Sequence, residues 1–219
     1  MLNHETLFRS EEIMEKRSNL KVFVLGLGAL GSNLIPFLIR NGYKNITGID
    51  FDRIEKHNIG NQFYSQQEVG RKKSQILKNK IYRELGIAID TIDKKIQEVS
   101  SSYLEGYDLF VDTFDNWESR GYFQELWRKF FKDSSDLIHS GMSPTGYSQI
   151  KWDENYNIPK DYKEELDVCD YALSCNLVYF TVSLLSESIN TFCDKNLKTD
   201  YSFTLNDLKI SQNQNYCQK

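Results

Sequence analysis

The stretch KVFVLGLGALG, residues 21–31, decides the fold of this chain. Its first five residues form a mostly apolar run that is typical of a buried parallel strand. Residues 29–41 predict a helix that begins within the glycine turn, and Gly42 is placed to end it. A buried strand that leads through glycines into a helix is typical of the first unit of a nucleotide-binding α/β sheet.

The three glycines of this turn have separate physical roles. Gly26 permits a tight turn between strand and helix, and Gly28 lets backbone N–H groups approach a phosphate. Gly31 lets the helix pack closely on the sheet, and the positive end of the helix dipole then faces the anion. Glycines also recur at such turns for packing alone. The turn by itself therefore predicts only that a nucleotide or a dinucleotide binds.

Strands and helices alternate along the rest of the chain. We predict strands over 45–50, within 87–99, and over 107–111, 137–140, 147–152 and 201–205, and helices over 5–19, 68–85, 117–132 and 176–192. This alternation predicts an α/β fold with a Rossmann-like, doubly wound, mostly parallel sheet. An N-terminal helix precedes the sheet, and a C-terminal crossing loop plus a helix follow it.

The 219 residues, of which 40% are hydrophobic, are enough for one sizeable core. We therefore expect a single domain over residues 1–219. Its parts are an N-terminal helix within 1–20, an acidic crossing loop over 153–175 and a flexible polar tail over 211–219.

Charge and composition narrow the class of protein. The net charge of −4 and the pI near 5.5 argue against nucleic acid as a partner, because nucleic-acid binders usually carry a basic face. No apolar run reaches the length of a membrane span, and residues 1–21 lack the apolar core of a secretory signal. The four cysteines do not form a disulfide framework. We expect a cytoplasmic protein with reduced thiols and no membrane partner.

Asp50 lies 19 residues beyond Gly31, at the predicted end of the second strand. A carboxylate at that place can accept hydrogen bonds from both ribose hydroxyls of a nucleotide. A single Asp at a strand end is also commonly a solvated surface acid. An NAD-dependent oxidoreductase would need only this Asp and the glycine turn, together with a region that binds its substrate.

Four further motifs follow in order. They are Asp50-Phe51-Asp52, then Asn58 to Gln62, then Val69-Gly70-Arg71-Lys72-Lys73, and finally Asp112-Thr113-Phe114-Asp115-Asn116 followed by Arg120. In order and spacing they resemble the ThiF/MoeB family of adenylyltransferases, which belongs to the ubiquitin-activating-enzyme superfamily. The resemblance covers about residues 5–150 well and the remainder loosely.

The resemblance implies an enzyme that uses ATP and Mg²⁺ to activate a carboxyl terminus. The expected partner is a small ubiquitin-like or sulfur-carrier protein with a C-terminal glycine, or a peptide. Its carboxylate attacks the α-phosphorus, which yields an acyl-adenylate and pyrophosphate. Transfer to a cysteine as a thioester can follow. Relatives act as homodimers or heterodimers, so the resemblance implies a dimer.

The resemblance also implies a set of site residues. Asp50 holds the ribose, with Asp52 and Asn116 in the same nucleotide site. Asn58 and Gln62 lie along the phosphates, Lys73 reaches them as a mobile positive charge, and Asp115 holds Mg²⁺. Each has a simpler alternative: Lys73 stands in a basic run of the kind that is usually solvated, and Asp112 and Asp115 are also compatible with surface acids after a strand.

One position departs from the family pattern. Asn61 stands where the family has an Arg, and Asn cannot supply a fixed positive fork to a phosphate. Three alternatives follow: Arg53 or Arg71 substitutes, the enzyme is slow, or the chain is a non-catalytic scaffold subunit of a heterodimer. In several relatives a further Arg comes from the N-terminal helix of the other protomer. Arg9 is our preferred candidate, ahead of Arg17.

The cysteines bear on the step after adenylation. Cys169 and Cys175 stand in or beside the crossing loop, before a predicted helix start that could lower a thiol pKa. Cys175 is equally compatible with a small buried hydrophobe, so we prefer Cys169, although its acidic neighbours oppose a lowered pKa. The chain has no Cys-x-x-Cys pair, so we do not expect the structural zinc of many relatives.

Overall fold

The computed structural model describes residues 8–158 and 174–216. Its strands are β1 Lys21–Leu25, β2 Asn45–Ile49, β3 Asp90–Ile92, β4 Leu109–Asp112, β5 Asp136–Met142, β6 Tyr147–Trp152, β7 Leu197–Thr204 and β8 Lys209–Tyr216. Its helices are α1 Glu11–Asn19, α2 Ala29–Arg40, α3 Lys73–Leu85, α4 Trp117–Phe130 and α5 Ser174–Lys195, with short 3₁₀ turns between them.

All eight strands form one sheet in the order β3-β2-β1-β4-β5-β6-β7-β8. The first five strands in this order are parallel, and the last three pair antiparallel. The prediction of a Rossmann-like, mostly parallel sheet is confirmed. The chain runs outward from β1 to β3 and then returns to β4, so the strand order reverses between β1 and β4. Ligands of open α/β sheets bind at such a reversal.

Strand β1 shows why the sheet is buried on both faces. Successive side chains of a strand point to opposite faces. Val22 and Val24 enter a core cluster under α2, α3 and α5, whereas Phe23 and Leu25 enter a second cluster under α4. All four are fully buried. The continuous apolar run of β1 thus reflects helices on both sides of the sheet.

Helix α1 begins later than the sequence predicts. Ser10 is its N-cap, because the Ser10 Oγ accepts a hydrogen bond from the Ile13 N–H at 3.3 Å. Within the predicted helix over 5–19, residue 8 is helical, residues 9 and 10 are not, and α1 covers residues 11–19; residues 1–7 lie outside the described part. Arg17 of α1 is fully buried and its Nη2 lies 2.7 Å from Asp194 Oδ2 at the end of α5.

The predicted tail over 211–219 is wrong for residues 211–216, which belong to β8. This strand pairs with β7 over its whole length, from Thr204 opposite Lys209 to Leu197 opposite Tyr216. The sequence did not predict β8 because its residues are polar. An edge strand is held by backbone hydrogen bonds and needs no alternation of apolar residues. The predicted crossing loop over 153–175 is also shorter at its end, since α5 begins at residue 174. Residues 159–173 of that loop lie outside the described part.

Among the described residues, no helix combines the length and the apolar character needed to cross a lipid bilayer.

Candidate nucleotide site

A cavity of about 250 Å³ opens at the carboxyl ends of β1, β2 and β4, where the strand order reverses. It is lined by most of the residues that the sequence motifs predict for the site: Gly26, Gly28, Asp50, Asp52, Asn61, Lys73, Asp115 and Asn116. Five segments that are distant in sequence thus meet around one space. The same wall includes residues from β5 and β6 that the motifs did not predict.

The glycine turn forms one side of this cavity. Gly26 has a φ of +92°, and Gly31 leaves no room for a side chain, because a Cβ there would lie 1.9 Å from the Gly26 carbonyl oxygen. A Cβ on Gly28 would meet nothing within 4 Å, so it would project into the open space. Gly28 is also the N-cap of α2 and carries no capping side chain. The N–H groups at the start of α2 are therefore suited to an anion.

Asp50 is held in a fixed orientation at the end of β2. Its Oδ2 accepts a hydrogen bond from the Leu27 N–H and its Oδ1 accepts one from the Asp52 N–H, each at 2.8 Å. Burial raises the pKa of Asp50, and the nearby charge of Lys73 opposes that shift without cancelling it. Each oxygen of a carboxylate has capacity for a further donor. Asp50 can therefore accept a hydroxyl from a ligand without moving.

Lys73 places a buried positive charge in the cavity, at the first residue of α3. Its Nζ lies 3.2 Å from Asp52 Oδ2. Burial acts to lower the pKa of Lys73, but the charges of Asp50 and Asp52, with a smaller effect from Asp115, raise it above the ordinary value overall. The ammonium therefore stays charged at neutral pH. It is positioned to meet a polyanion that also contacts the start of α2.

Asp115 and Asn116 stand on the turn between β4 and α4. The Asn116 Oδ1 accepts a hydrogen bond from the Ser119 N–H at 2.8 Å and so caps α4, while its amide nitrogen lies 3.4 Å from Asp115 Oδ1. Asp115 is exposed and lines the cavity. Mg²⁺ is usually bound by one or two carboxylates together with phosphates and water. An exposed carboxylate facing the same space as Lys73 fits that donor set.

Three of the residues predicted to bind the nucleotide do not line the cavity. Gly31 packs behind the turn, as its predicted role requires. Asn58 is buried, and its Oδ1 accepts a hydrogen bond from the Glu55 N–H at 2.8 Å, so its side chain closes a 3₁₀ turn. Gln62 is buried and its Oε1 has no hydrogen-bond partner. The predicted contact of Asn58 and Gln62 with phosphates therefore stays a prediction.

The arginines expected to compensate for Asn61 lie elsewhere. Arg53 and Arg71 are exposed and do not line the cavity; the Arg53 Nη1 donates to the Gly70 carbonyl at 2.7 Å. Arg9 lies 3.3 Å from Asp194 of its own chain and also stands outside the cavity. The cations that do line it are Lys73, Lys94, Lys95 and Arg120. Lys94 and Lys95 follow β3, whose carboxyl end reaches the same edge of the sheet, and that position is the signal that could have identified them.

Neither candidate cysteine is placed at the cavity. Cys175 is a free thiol in the first turn of α5, is partly buried and does not line the cavity. Cys169 lies outside the described residues. Among residues 8–158 and 174–216, no group of three or more His, Cys, Asp or Glu side chains is arranged to hold a metal ion.

A buried cluster of charged groups lies behind the cavity wall, and the sequence motifs did not predict it. His139 of β5 stands between Asp112 and Asp153, and Arg120 reaches the same Asp112. All four side chains are at least nine-tenths buried. Only Asp112 and Arg120 belong to a recognisable motif, because the other two are single polar residues on or just after strands.

Comparison with curated proteins gives distant matches to activating enzymes. The chain is 29% identical over 120 residues to SUMO-activating enzyme subunit 2 of Dictyostelium discoideum, which is 53% of this chain and 18% of that protein. It is 25% identical over 122 residues to the NEDD8-activating enzyme E1 catalytic subunit of Arabidopsis thaliana, which is 55% of this chain and 27% of that protein. The chain therefore spans less than a third of the length of these relatives.

Solved structures share the fold. MccB of E. coli, determined with ATP, superposes with a TM-score of 0.70 at 17% identity, covering 92% of this chain and 64% of that chain. PaaA gives a TM-score of 0.71 at 14% identity, covering 94% of this chain and 67% of that chain. The ThiF family profile matches residues 3–202. Since that match spans nearly the whole chain, the protein belongs to the ThiF family.

Proposed function

We propose that the cavity binds ATP with Mg²⁺ and adenylates the carboxyl terminus of a small ubiquitin-like or sulfur-carrier protein or of a peptide. The observation that carries this proposal is the position of Lys73. Its charged ammonium shares one cavity with the Asp50 carboxylate, the open N-terminus of α2 and the exposed Asp115 carboxylate. A ribose needs a group such as the Asp50 carboxylate, a polyphosphate needs donors such as the α2 N-terminus and Lys73, and the metal ion needs a ligand such as Asp115.

The geometry supports one placement of the nucleotide. The ribose hydroxyls would donate to Asp50, whose carboxylate two backbone N–H groups already orient. The phosphates would contact the N–H groups at the start of α2 and the ammonium of Lys73. Asp115 would hold Mg²⁺, which when bound neutralises part of the phosphate charge.

In the proposed reaction, an oxygen of the partner's carboxylate forms a bond to the α-phosphorus, and the bond from that phosphorus to the pyrophosphate oxygen breaks. Negative charge develops on the departing pyrophosphate, and Lys73 would stabilise it. Donors fixed before the reaction are effective because they need no reorganisation as charge develops. No proton transfer is required, because the nucleophile is already a carboxylate at neutral pH.

The comparisons support the class of acyl substrate. Two relatives are named for activating SUMO and NEDD8, and a structure of MccB contains MccA together with the ATP analogue AMPCPP. We infer a partner with a free carboxyl terminus that ends in glycine, and a homodimeric or heterodimeric assembly. Family membership favours this activity over an NAD-dependent oxidoreductase.

Asn61 supports a second candidate, the non-catalytic scaffold subunit of a heterodimer. It is buried, lines the cavity and carries no charge where the family has an Arg. A scaffold would retain the fold and lose the reaction. Pyrophosphate exchange into ATP in the presence of a candidate carrier separates the two functions, because only an enzyme that forms an adenylate reversibly gives exchange.

This experiment should be combined with calorimetry of ATP binding at fixed Mg²⁺. Binding together with carrier-dependent exchange supports the enzyme. Binding with no exchange across carriers and peptides ending in glycine supports the scaffold. A protein that is folded by circular dichroism but binds no nucleotide contradicts both.

A further inference from the structure

His139 lies at the centre of the buried charged cluster. Its Nδ1 is 2.7 Å from Asp112 Oδ2 and its Nε2 is 3.1 Å from Asp153 Oδ1. Each ring nitrogen of His139 thus faces one carboxylate. Burial raises the pKa of Asp153, but hydrogen bonds from His139, Arg128 and Gln124 more than offset this and lower it to about 2. Asp153 is therefore a carboxylate, and it holds His139 from the side away from the cavity.

Asp112 transmits this contact to the turn that carries Asp115. Its Oδ1 accepts a hydrogen bond from the Phe114 N–H at 3.0 Å, while its Oδ2 faces both His139 and the Arg120 Nη1, the latter at 3.2 Å. The Arg120 Nη2 donates to the Phe114 carbonyl oxygen. The ion pair of Asp112 and Arg120 thus binds both the N–H and the carbonyl group of Phe114, and His139 contacts the Asp112 end of that pair. Phe114 immediately precedes Asp115.

The remaining contacts of the cluster fix Arg120 as well. Its Nη2 donates to the Ser140 carbonyl oxygen at 2.8 Å, and its Nη1 donates to the Tyr156 hydroxyl at 3.3 Å. The Tyr156 ring stacks on His139 with the centroids 4.0 Å apart and the planes 18° apart. Tyr156 and Arg120 both line the cavity. The buried imidazole therefore contacts one side chain of the cavity wall, Tyr156, and shares Asp112 with another, Arg120, without lining the cavity itself.

We propose that His139 is a positioning residue, which fixes the Phe114 turn through Asp112 and Arg120 and thereby sets the direction of the Asp115 carboxylate. The metal-binding part of this inference rests on the proposed function, whereas the structural part does not. Residues that orient a metal ligand from behind typically change metal affinity by about 10- to 100-fold when they are replaced. We expect a change of that size from a residue that contacts neither nucleotide nor metal.

Two substitutions separate the contacts of the imidazole. In His139→Asn the amide nitrogen stands as many bonds from Cα as Nδ1 does, so it can donate to Asp112 but not to Asp153. In His139→Gln the amide nitrogen corresponds to Nε2, so it can donate to Asp153 but not to Asp112. If the contact with Asp112 fixes the turn, the Asn variant should retain most of the wild-type behaviour and the Gln variant should lose it.

The first measurement is hydrogen exchange of the Phe114 amide by NMR in the protein without nucleotide. We expect exchange about tenfold faster in His139→Gln than in wild type, which corresponds to weakening one hydrogen bond to a charged group. The Asn variant should stay close to wild type. Tyr43→Phe is the matched control, because it removes a buried hydrogen bond to Asn190 in the other core cluster and should not change exchange at Phe114.

The second measurement is the Mg²⁺ concentration that half-saturates ATP binding, determined by calorimetry. We expect it to rise about tenfold or more in His139→Gln and to change little in His139→Asn. Asp112→Asn provides a further variant should His139→Gln fail to fold. In this variant an amide N–H₂ replaces one carboxylate oxygen, and it cannot accept a hydrogen bond from the donors that face Asp112. The substitution should therefore also release the Phe114 amide.

The inference is overturned if the Asn and Gln variants behave alike, if the Gln variant is the better retained, or if Tyr43→Phe gives the same change. A wild-type protein that binds no nucleotide would contradict the proposed function. The Phe114 measurement would still decide whether His139 positions the turn.

Discussion

The two halves of the sheet differ in how their strands end. In the parallel half, which comprises β1 to β5, the carboxyl ends of the strands meet at one edge, so the residues that follow them converge on the cavity. In the antiparallel half, β6 to β8, successive strands end at opposite edges, and β6 adds only wall residues such as Tyr147 and Gln149. The parallel half therefore carries most of the residues proposed for the chemistry, and the antiparallel half supplies one flank of the cavity.

Strand β5 joins these halves, since it is parallel to β4 and antiparallel to β6. His139 lies on β5, and its two carboxylate partners come from opposite sides: Asp112 ends β4 and Asp153 follows β6. The buried cluster is therefore the place where the antiparallel half can influence the turn that carries Asp115.

The largest effect is expected from removing the proposed metal ligand in the parallel half. Asp115→Ala should abolish Mg²⁺-dependent pyrophosphate exchange and leave the fold intact, because Asp115 is an exposed carboxylate outside the core. Asp207→Ala is the control, an exposed Asp in the turn between β7 and β8. Equal exchange in the Asp115 variant and in wild type would remove Asp115 from the mechanism.

A smaller but still large effect is expected at Lys73. Lys73→Ala should reduce the exchange rate by about 10²–10³, the scale for loss of one donor that stabilises developing charge. Lys198→Ala is a control of the same type, since Lys198 is likewise ion-paired, with Asp136 and Glu154, but lies in the antiparallel half. A comparable loss in both variants would show that the effect is one of folding, which thermal unfolding would detect.

A moderate effect on ATP binding should distinguish the residues that could supply the positive charge missing at Asn61. Replacing both Lys94 and Lys95 by Ala should weaken ATP binding about tenfold, since each exposed charge contributes up to about 1 kcal/mol. The matched double variant of Arg53 and Arg71 should bind ATP as wild type does, because neither side chain lines the cavity. The reverse result in calorimetry would assign the compensation to the arginines.

The smallest effect on exchange is expected at the two candidate cysteines, Cys169 and Cys175. Cys169→Ala, more than Cys175→Ala, should remove any adduct with the carrier that is sensitive to reducing agent, while pyrophosphate exchange is unchanged. Cys175 is partly buried outside the cavity, which makes it the internal control. A protein without cysteines that still passes its carrier to an acceptor would show that the chemistry ends at the adenylate.

The sequence predicted those parts of the site that local patterns encode. The glycine turn, Asp50, Lys73 and Asp115 each follow or begin a strand or helix that the hydrophobic pattern of the sequence predicts. They converge because the carboxyl ends of parallel strands meet at one edge of the sheet. His139 and Asp153 were missed, because each is a single polar residue whose partner lies on another strand. Strand β8 was missed for a related reason: its polar residues carry no burial period, and only pairing with β7 defines it.

The ion pair between Arg17 and Asp194 joins residues 177 positions apart, and this separation has a kinetic consequence. Contacts between distant residues form only after a large loop has closed, which slows the steps that depend on them. During synthesis all strands of the parallel half leave the ribosome before Asp194 does. Helix α1 therefore lacks this anchor until the end of α5 has been made, and the buried Arg17 charge can pair with Asp194 only after that point.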